Sequence, residues 1–114
     1  DKLEERSVYY KTNWERFITL SNNNYNHGFL GGIKGLTLTF KNDTDFPIEE
    51  MEAKLTYIKA NGKEWINKTV TVYNLLPHTE KQQSVAKVNR GKSIKTMIEK
   101  VTSSKMHLYY TRHE

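Results

Sequence analysis

Apolar side chains recur at every second residue through most of this chain, and that alternation is the feature that most limits its fold. From Gly35 to Phe40, Leu36, Leu38 and Phe40 lie on one face and Thr37 and Thr39 on the other. Successive side chains of a β-strand point to opposite faces, so a half-buried strand reads this way. Met51, Ala53, Leu55 and Tyr57 share one face of the next segment, with Glu52, Lys54 and Thr56 opposite. Several of these residue types also favour a helix. The Leu55-Thr56-Tyr57-Ile58 ending and the Asn61-Gly62 that follows favour a strand entering a hairpin, because both turn residues accept positive φ at low cost. Lys63 to Val72 is then the returning strand, anchored by Trp65, Val70 and Val72.

Weaker signals extend the pattern. Trp14 to Leu20 reads as a first strand, broken by Ser21-Asn22-Asn23-Asn24 and by Asn26-His27-Gly28. The glycines at 28, 31, 32 and 35 mark a bend or bulge. Leu75-Leu76-Pro77-His78-Thr79 reads as a crossover, with Pro77 presetting φ. Gln82 to Val88 is a short strand, and Asn89-Arg90-Gly91-Lys92 a turn. Lys105 to Thr111 alternates again, with Met106, Leu108 and Tyr110 on one face. Residues 92–102 fit two periods: Ile94, Met97, Ile98 and Val101 have helical spacing, and Ile94, Thr96 and Ile98 alternate. The strand reading is preferred.

About seven short strands separated by turn signals predict an all-β fold, an immunoglobulin-like antiparallel β-sandwich; a five- or six-stranded barrel is the alternative. The 114 residues suffice for one such domain, expected over 14–114. Residues 1–13 read as a charged lead-in or tether, with a helix as the competing reading. With no cysteine the core holds by packing alone, and the composition suits an oxidising, extracytoplasmic compartment. The expected core is Leu36, Leu38, Phe40, Leu55, Tyr57, Trp65, Val70, Val72, Ile98, Leu108 and Tyr110.

No catalytic constellation is legible. The four histidines (27, 78, 107 and 113) lie far apart, and a metal site drawing on Asp43, Asp45 or Glu114 depends wholly on the fold. Asp43-Thr44-Asp45 runs into Phe46-Pro47 rather than the glycine-bearing loop that calcium sites use. The expectation is therefore a non-enzymatic chain with no catalytic residue, metal or cofactor. Charge is the one functional hint. Residues 43–80 carry seven acids against four bases, whereas residues 81–114 carry eight bases against two acids. A basic face built by the last third would attract an acidic partner, lipid headgroups or another polyanion such as nucleic acid. Lys87, Arg90, Lys92, Lys95 and Lys105 are the candidate binding residues. Lysines that merely protect edge strands are the competing explanation.

The run Leu36-Thr37-Leu38-Thr39-Phe40-Lys41-Asn42, a polar gap, Ile48 with an acidic pair, Leu55-Thr56-Tyr57-Ile58 and Asn61-Gly62 form a connected pattern. Leu76-Pro77-His78-Thr79-Glu80 and the Arg90-Gly91 turn continue it. The pattern resembles the bacterial extracytoplasmic immunoglobulin-like domains of the FxLYD type, over residues 35–102. It departs from them at His78, where those domains often have glycine, and the N-terminal third is unmatched. The resemblance implies a small β-sandwich attached to a bacterial envelope protein, often beside a membrane anchor. Its partner would be another envelope protein or an upstream domain of the same chain. It brings no catalytic residues to this sequence.

Overall fold

The computed structural model describes residues 1–112, which form one helix, a short 3-10 turn and nine strands. Strand β1 (Ile18–Asn22), β4 (Thr37–Asn42) and β7 (Thr79–Ser84) make a three-stranded sheet in the order β1-β4-β7. Strand β5 (Ile48–Ile58), β6 (Glu64–Leu75), β8 (Ser93–Ser103) and β9 (Leu108–Thr111) make a four-stranded sheet in the order β6-β5-β8-β9. A two-residue ribbon, β2 (Asn26–His27) with β3 (Ile33–Lys34), stands within the connection from β1 to β4. Every pairing is antiparallel. The all-β expectation holds.

The alternating positions supply the core. Leu38 and Phe40 of β4, Ile18 of β1, and Met51, Ala53, Leu55 and Tyr57 of β5 are completely buried and belong to one continuous cluster. Leu36, Val72 and Leu108 are buried in it as expected, while Trp65, Val70, Ile98 and Tyr110 pack against its margin. Val101 of β8 joins it, as do Ile33, Phe46, Ile48, Leu75 and Met106 from turns and strand ends. Burying a side chain of this size contributes about 1.5–3 kcal/mol, which is how a chain without cross-links holds together.

Residues 92–102 are strand, and the pairing explains their double periodicity. Across β5, Glu52 pairs with Lys100 but Ala53 pairs with Ile98, so Glu99 is an extra, bulged residue. A bulge inserts one unpaired residue and shifts the alternation by one. Ile94 and Ile98 before it and Val101 after it therefore share the core side at a spacing that imitates a helix. The same pairing limits other expectations. β7 covers Thr79–Ser84 rather than Gln82 to Val88, because its partner β4 runs from Thr37, opposite Ser84, to Asn42, opposite Thr79. Val88 instead forms an isolated bridge with Ile33. All of β7 is exposed, so it carries no apolar alternation to read. The first strand begins at Ile18, after the 3-10 turn Trp14–Arg16. Met106 lies in the β8–β9 turn, buried, and not in a strand.

The first residues form helix α1 (Lys2–Thr12). The Asp1 carboxylate accepts from the Glu4 N–H at 2.8 Å, the arrangement that satisfies a helix's first unpaired donors. Tyr10 packs edge-on against Phe17 and Phe46, at 5.0 and 6.1 Å between ring centres, and Arg6 pairs with Asp45 at 3.4 Å. No helix among the described residues is long and apolar enough to cross a membrane.

Candidate functional site

The antiparallel order gathers the loops at the two ends of the strands. One end holds the β1–β4 connection, the β5–β6 turn and the β7–β8 loop; the other holds the β4–β5, β6–β7 and β8–β9 turns beside α1.

At the first end a projecting tip is built from residues 28–32. The Gly31 N–H donates to the Gly28 carbonyl at 3.0 Å, closing a tight turn with Phe29 and Leu30 at its centre. The Gly28 N–H donates to the Gly32 carbonyl, also at 3.0 Å, and completes the loop. A side chain at Gly28 would put its Cβ 2.5 Å from the Gly31 carbonyl oxygen, so the turn closes only around glycine there. Gly32 sits at φ +102°, a region that favours glycine, and its N–H donates to the Gly91 carbonyl at 2.8 Å. Ile33 and Val88 exchange two backbone bonds of 3.0 Å, and the Lys92 N–H donates to the Ile58 carbonyl at 2.8 Å. These bonds tie the tip to the β7–β8 loop and that loop to the end of β5. Asn23 closes the base of the long connection, donating to the Gly35 carbonyl and accepting from the Thr37 N–H.

Phe29 and Leu30 stand 102% and 93% exposed, whereas Tyr109, the next most exposed large apolar residue, stands at 67%. Behind them opens a cleft of about 750 Å³, walled by His27 and the tip on one side and by Lys59, Arg90 and Lys92 on the other. Among the described residues, no carboxylate lines it. Among the described residues, none of these three cations is held in an ion pair. Lys87 flanks the opposite side of the tip, beside Gly31, Gly32 and Lys34.

Of the five basic residues singled out from the sequence, Lys87, Arg90 and Lys92 come together here. Lys95 lies on β8 and pairs with Glu64 at 3.0 Å. Lys105 is at the far end, in the β8–β9 turn close to α1. Phe29, Leu30 and Lys59 were not legible as site residues. The available signal was an apolar pair bracketed by Gly28 and Gly31-Gly32 within an otherwise polar stretch.

The other end is organised by polar contacts. His78 donates from Nδ1 to Asp43 at 2.9 Å and from Nε2 to Asp45 at 2.7 Å. Ionised carboxylates only accept, so this arrangement favours the doubly protonated, cationic imidazole. The hydrogen bonds to Asp45 and Asp43 hold the His78 pKa above its ordinary value. The bond from His78, helped by Arg6, holds the Asp45 carboxyl below its own. His78 adopts φ +54°, left-handed backbone that favours glycine. In the adjoining turn, Glu49 accepts from the Ser104 N–H and hydroxyl. Burial acts to raise the Glu49 carboxyl, and those donors more than offset it, leaving it below the usual range.

Among the described residues, no group of His, Asp or Glu is arranged to hold a metal ion. His113 and Glu114 lie outside the described residues. Comparison of the chain with known proteins finds no matching family, no similar curated protein and no similar solved structure.

Proposed function

We propose that this is a non-enzymatic binding or spacer domain of a bacterial cell-envelope protein, acting outside the cytoplasm, and that the end carrying the Gly28–Gly32 tip is its binding surface. The observation that carries the reading is the adjacent, solvated Phe29 and Leu30, held out by backbone hydrogen bonds beside three cations that have no ion pair among the described residues. Exposing two large apolar side chains side by side is unfavourable in water, and such patches mark interaction sites.

The fold supports an immunoglobulin-like sandwich. Leaving the small β2–β3 ribbon aside, seven strands lie in two sheets that share one core. Their orders, β1-β4-β7 and β6-β5-β8-β9, follow the arrangement in which strands A, B and E face C, F and G with one further strand beside C. Affinity with the FxLYD type is supported by the backbone at His78. The position where those domains often have glycine is left-handed here. The absence of cysteine suits the extracytoplasmic location.

Site-specific photocrosslinking in intact bacterial cells tests the reading. A photoreactive side chain replacing Leu30 is expected to give discrete adducts, to protein or to lipid, and one replacing Ser104, at the opposite end, to give none. Absence of adducts from position 30, or equal yields from both positions, would overturn it.

A further inference from the structure

The tip has the chemistry of a device for resting on a charged lipid surface. We propose that it docks the domain onto an anionic bilayer, with Phe29 and Leu30 entering the headgroup–acyl boundary and Lys59, Arg90 and Lys92 meeting the phosphates. This inference rests on the loop end being the binding surface and names what that surface binds.

Shape is the first argument. Phe29 and Leu30 occupy the apex of a tight turn, and virtually all of each side chain is in water. A convex apex meets a protein partner only through a pocket built to receive it. A fluid interface takes a convex apolar apex without any matching shape, and aromatic side chains favour that depth.

The second argument is the placement of charge. The cations line the same cleft as the apex residues but stand on other loops, the β5–β6 turn and the β7–β8 loop. With the apex in the interface, cations bordering the same cleft are placed to meet the phosphates. Among the described residues, the cleft has no carboxylate to repel an anionic headgroup. Each such cation adds about fivefold to partition onto an anionic leaflet.

The third argument is rigidity. The tip is bonded to the β7–β8 loop, and that loop to the end of β5, through main-chain groups, so little ordering is needed on docking. Two side chains are a small apolar anchor, and weak anchors need a second, electrostatic contribution to hold. Reversible binding that requires both parts is therefore the expected behaviour.

Co-sedimentation with vesicles tests this. The full chain is expected to bind vesicles of equal parts phosphatidylglycerol and phosphatidylcholine, to bind pure phosphatidylcholine at least about tenfold more weakly, and to be released by high salt. Phe29→Ser with Leu30→Ser is expected to lower partition by about tenfold or more. Arg90→Glu with Lys92→Glu should lower it at least as much, given about fivefold for each cation lost. Lys95→Glu, away from the cleft, should leave it unchanged. The tip side chains are solvated, so the serine variant keeps the wild-type melting temperature, and measuring that separates lost binding from lost folding.

No binding to the anionic vesicles overturns the inference. So does binding that the serine variant retains in full, which would reveal simple adsorption to a polyanion. Crosslinks from position 30 to protein alone, without vesicle binding, overturn the lipid assignment and leave the loop-end reading standing. If position 30 gives no adducts and the vesicles are not bound, both fall.

Discussion

Replacing Asn42 by alanine should remove the polar centre that joins the β4–β5 turn to the β6–β7 connection. Asn42 is fully buried at the end of β4. Its Nδ2 donates to the carbonyls of Phe46, Leu75 and Leu76 at 2.8, 3.0 and 3.2 Å. Its Oδ1 accepts from the Thr44 N–H at 3.0 Å and the Thr44 hydroxyl at 2.7 Å. These losses are unequal. The Thr44 hydroxyl has one proton, which can turn from the lost Asn42 oxygen to the Phe46 carbonyl, and the Leu76 carbonyl keeps the Thr79 hydroxyl as a donor. The buried Thr44 N–H loses its acceptor, and an orphaned buried donor costs ~1–3 kcal/mol. The weakened Leu75 carbonyl adds about 1 kcal/mol. The expected destabilisation is therefore about 2–4 kcal/mol. For 114 residues, each kcal/mol moves the melting temperature by about 4 °C, so Asn42→Ala should melt about 8–16 °C lower. Thermal unfolding followed by circular dichroism measures this. A fall smaller than about 3 °C would refute the reasoning. Asn42→Asp adds a signed test. Its second oxygen would face three carbonyl oxygens, so burial and repulsion would raise the new carboxyl's pKa. A raised carboxyl pKa means the folded state binds more protons, so this variant should lose stability as pH rises from about 4 toward 7.

Three further outcomes are expected. The His78 clasp contributes stability fully below the ordinary histidine pKa of 6.5, and loses it as pH rises through the elevated folded value. Its Asp45 partner contributes above the ordinary carboxyl pKa of 3.8 and loses that contribution as pH falls through its lowered value. The melting-temperature gap between wild type and His78→Gln should therefore be widest between those two values and narrow at alkaline pH; a gap independent of pH would disprove the cationic clasp. The buried Tyr57 hydroxyl has no hydrogen-bond partner among the described residues, and burial raises its pKa. Tyr57→Phe should thus be neutral or stabilising by about 1 kcal/mol in urea unfolding, and a loss of more than about 1 kcal/mol would reveal a bond to that oxygen. Leu38 is completely buried on the central strand of the three-stranded sheet, so Leu38→Asp should abolish the folded state, and a cooperative melt by that variant would contradict the packing.

Most of the strands and many of the core residues were legible because alternation is a local property. Leu36, Leu38 and Phe40 share a face wherever the strand is placed, since the pleat alone decides it. The hairpin at Asn61-Gly62 was legible for the same kind of reason: Gly62 takes φ +83° in a turn closed by Lys59 and Lys63. The edge strand β7 escaped because it buries nothing, and hydrophobic patterning reports only burial. Residues 93–103 were ambiguous because the bulge at Glu99 exists only through pairing with β5.

The candidate site was less legible still. By itself the sequence determined that the chain is β-rich, that its core must hold without cross-links, and that positive charge is concentrated in its last third. Tertiary structure alone decided which charges act together. It placed Lys59 beside Arg90 and Lys92, sent Lys95 to Glu64 and Lys105 to the opposite end, and set His78 between Asp43 and Asp45. Those contacts span about thirty residues or more of chain. Their formation depends on strand order and register, which are settled by packing two sheets on one core and not by any local run of residues.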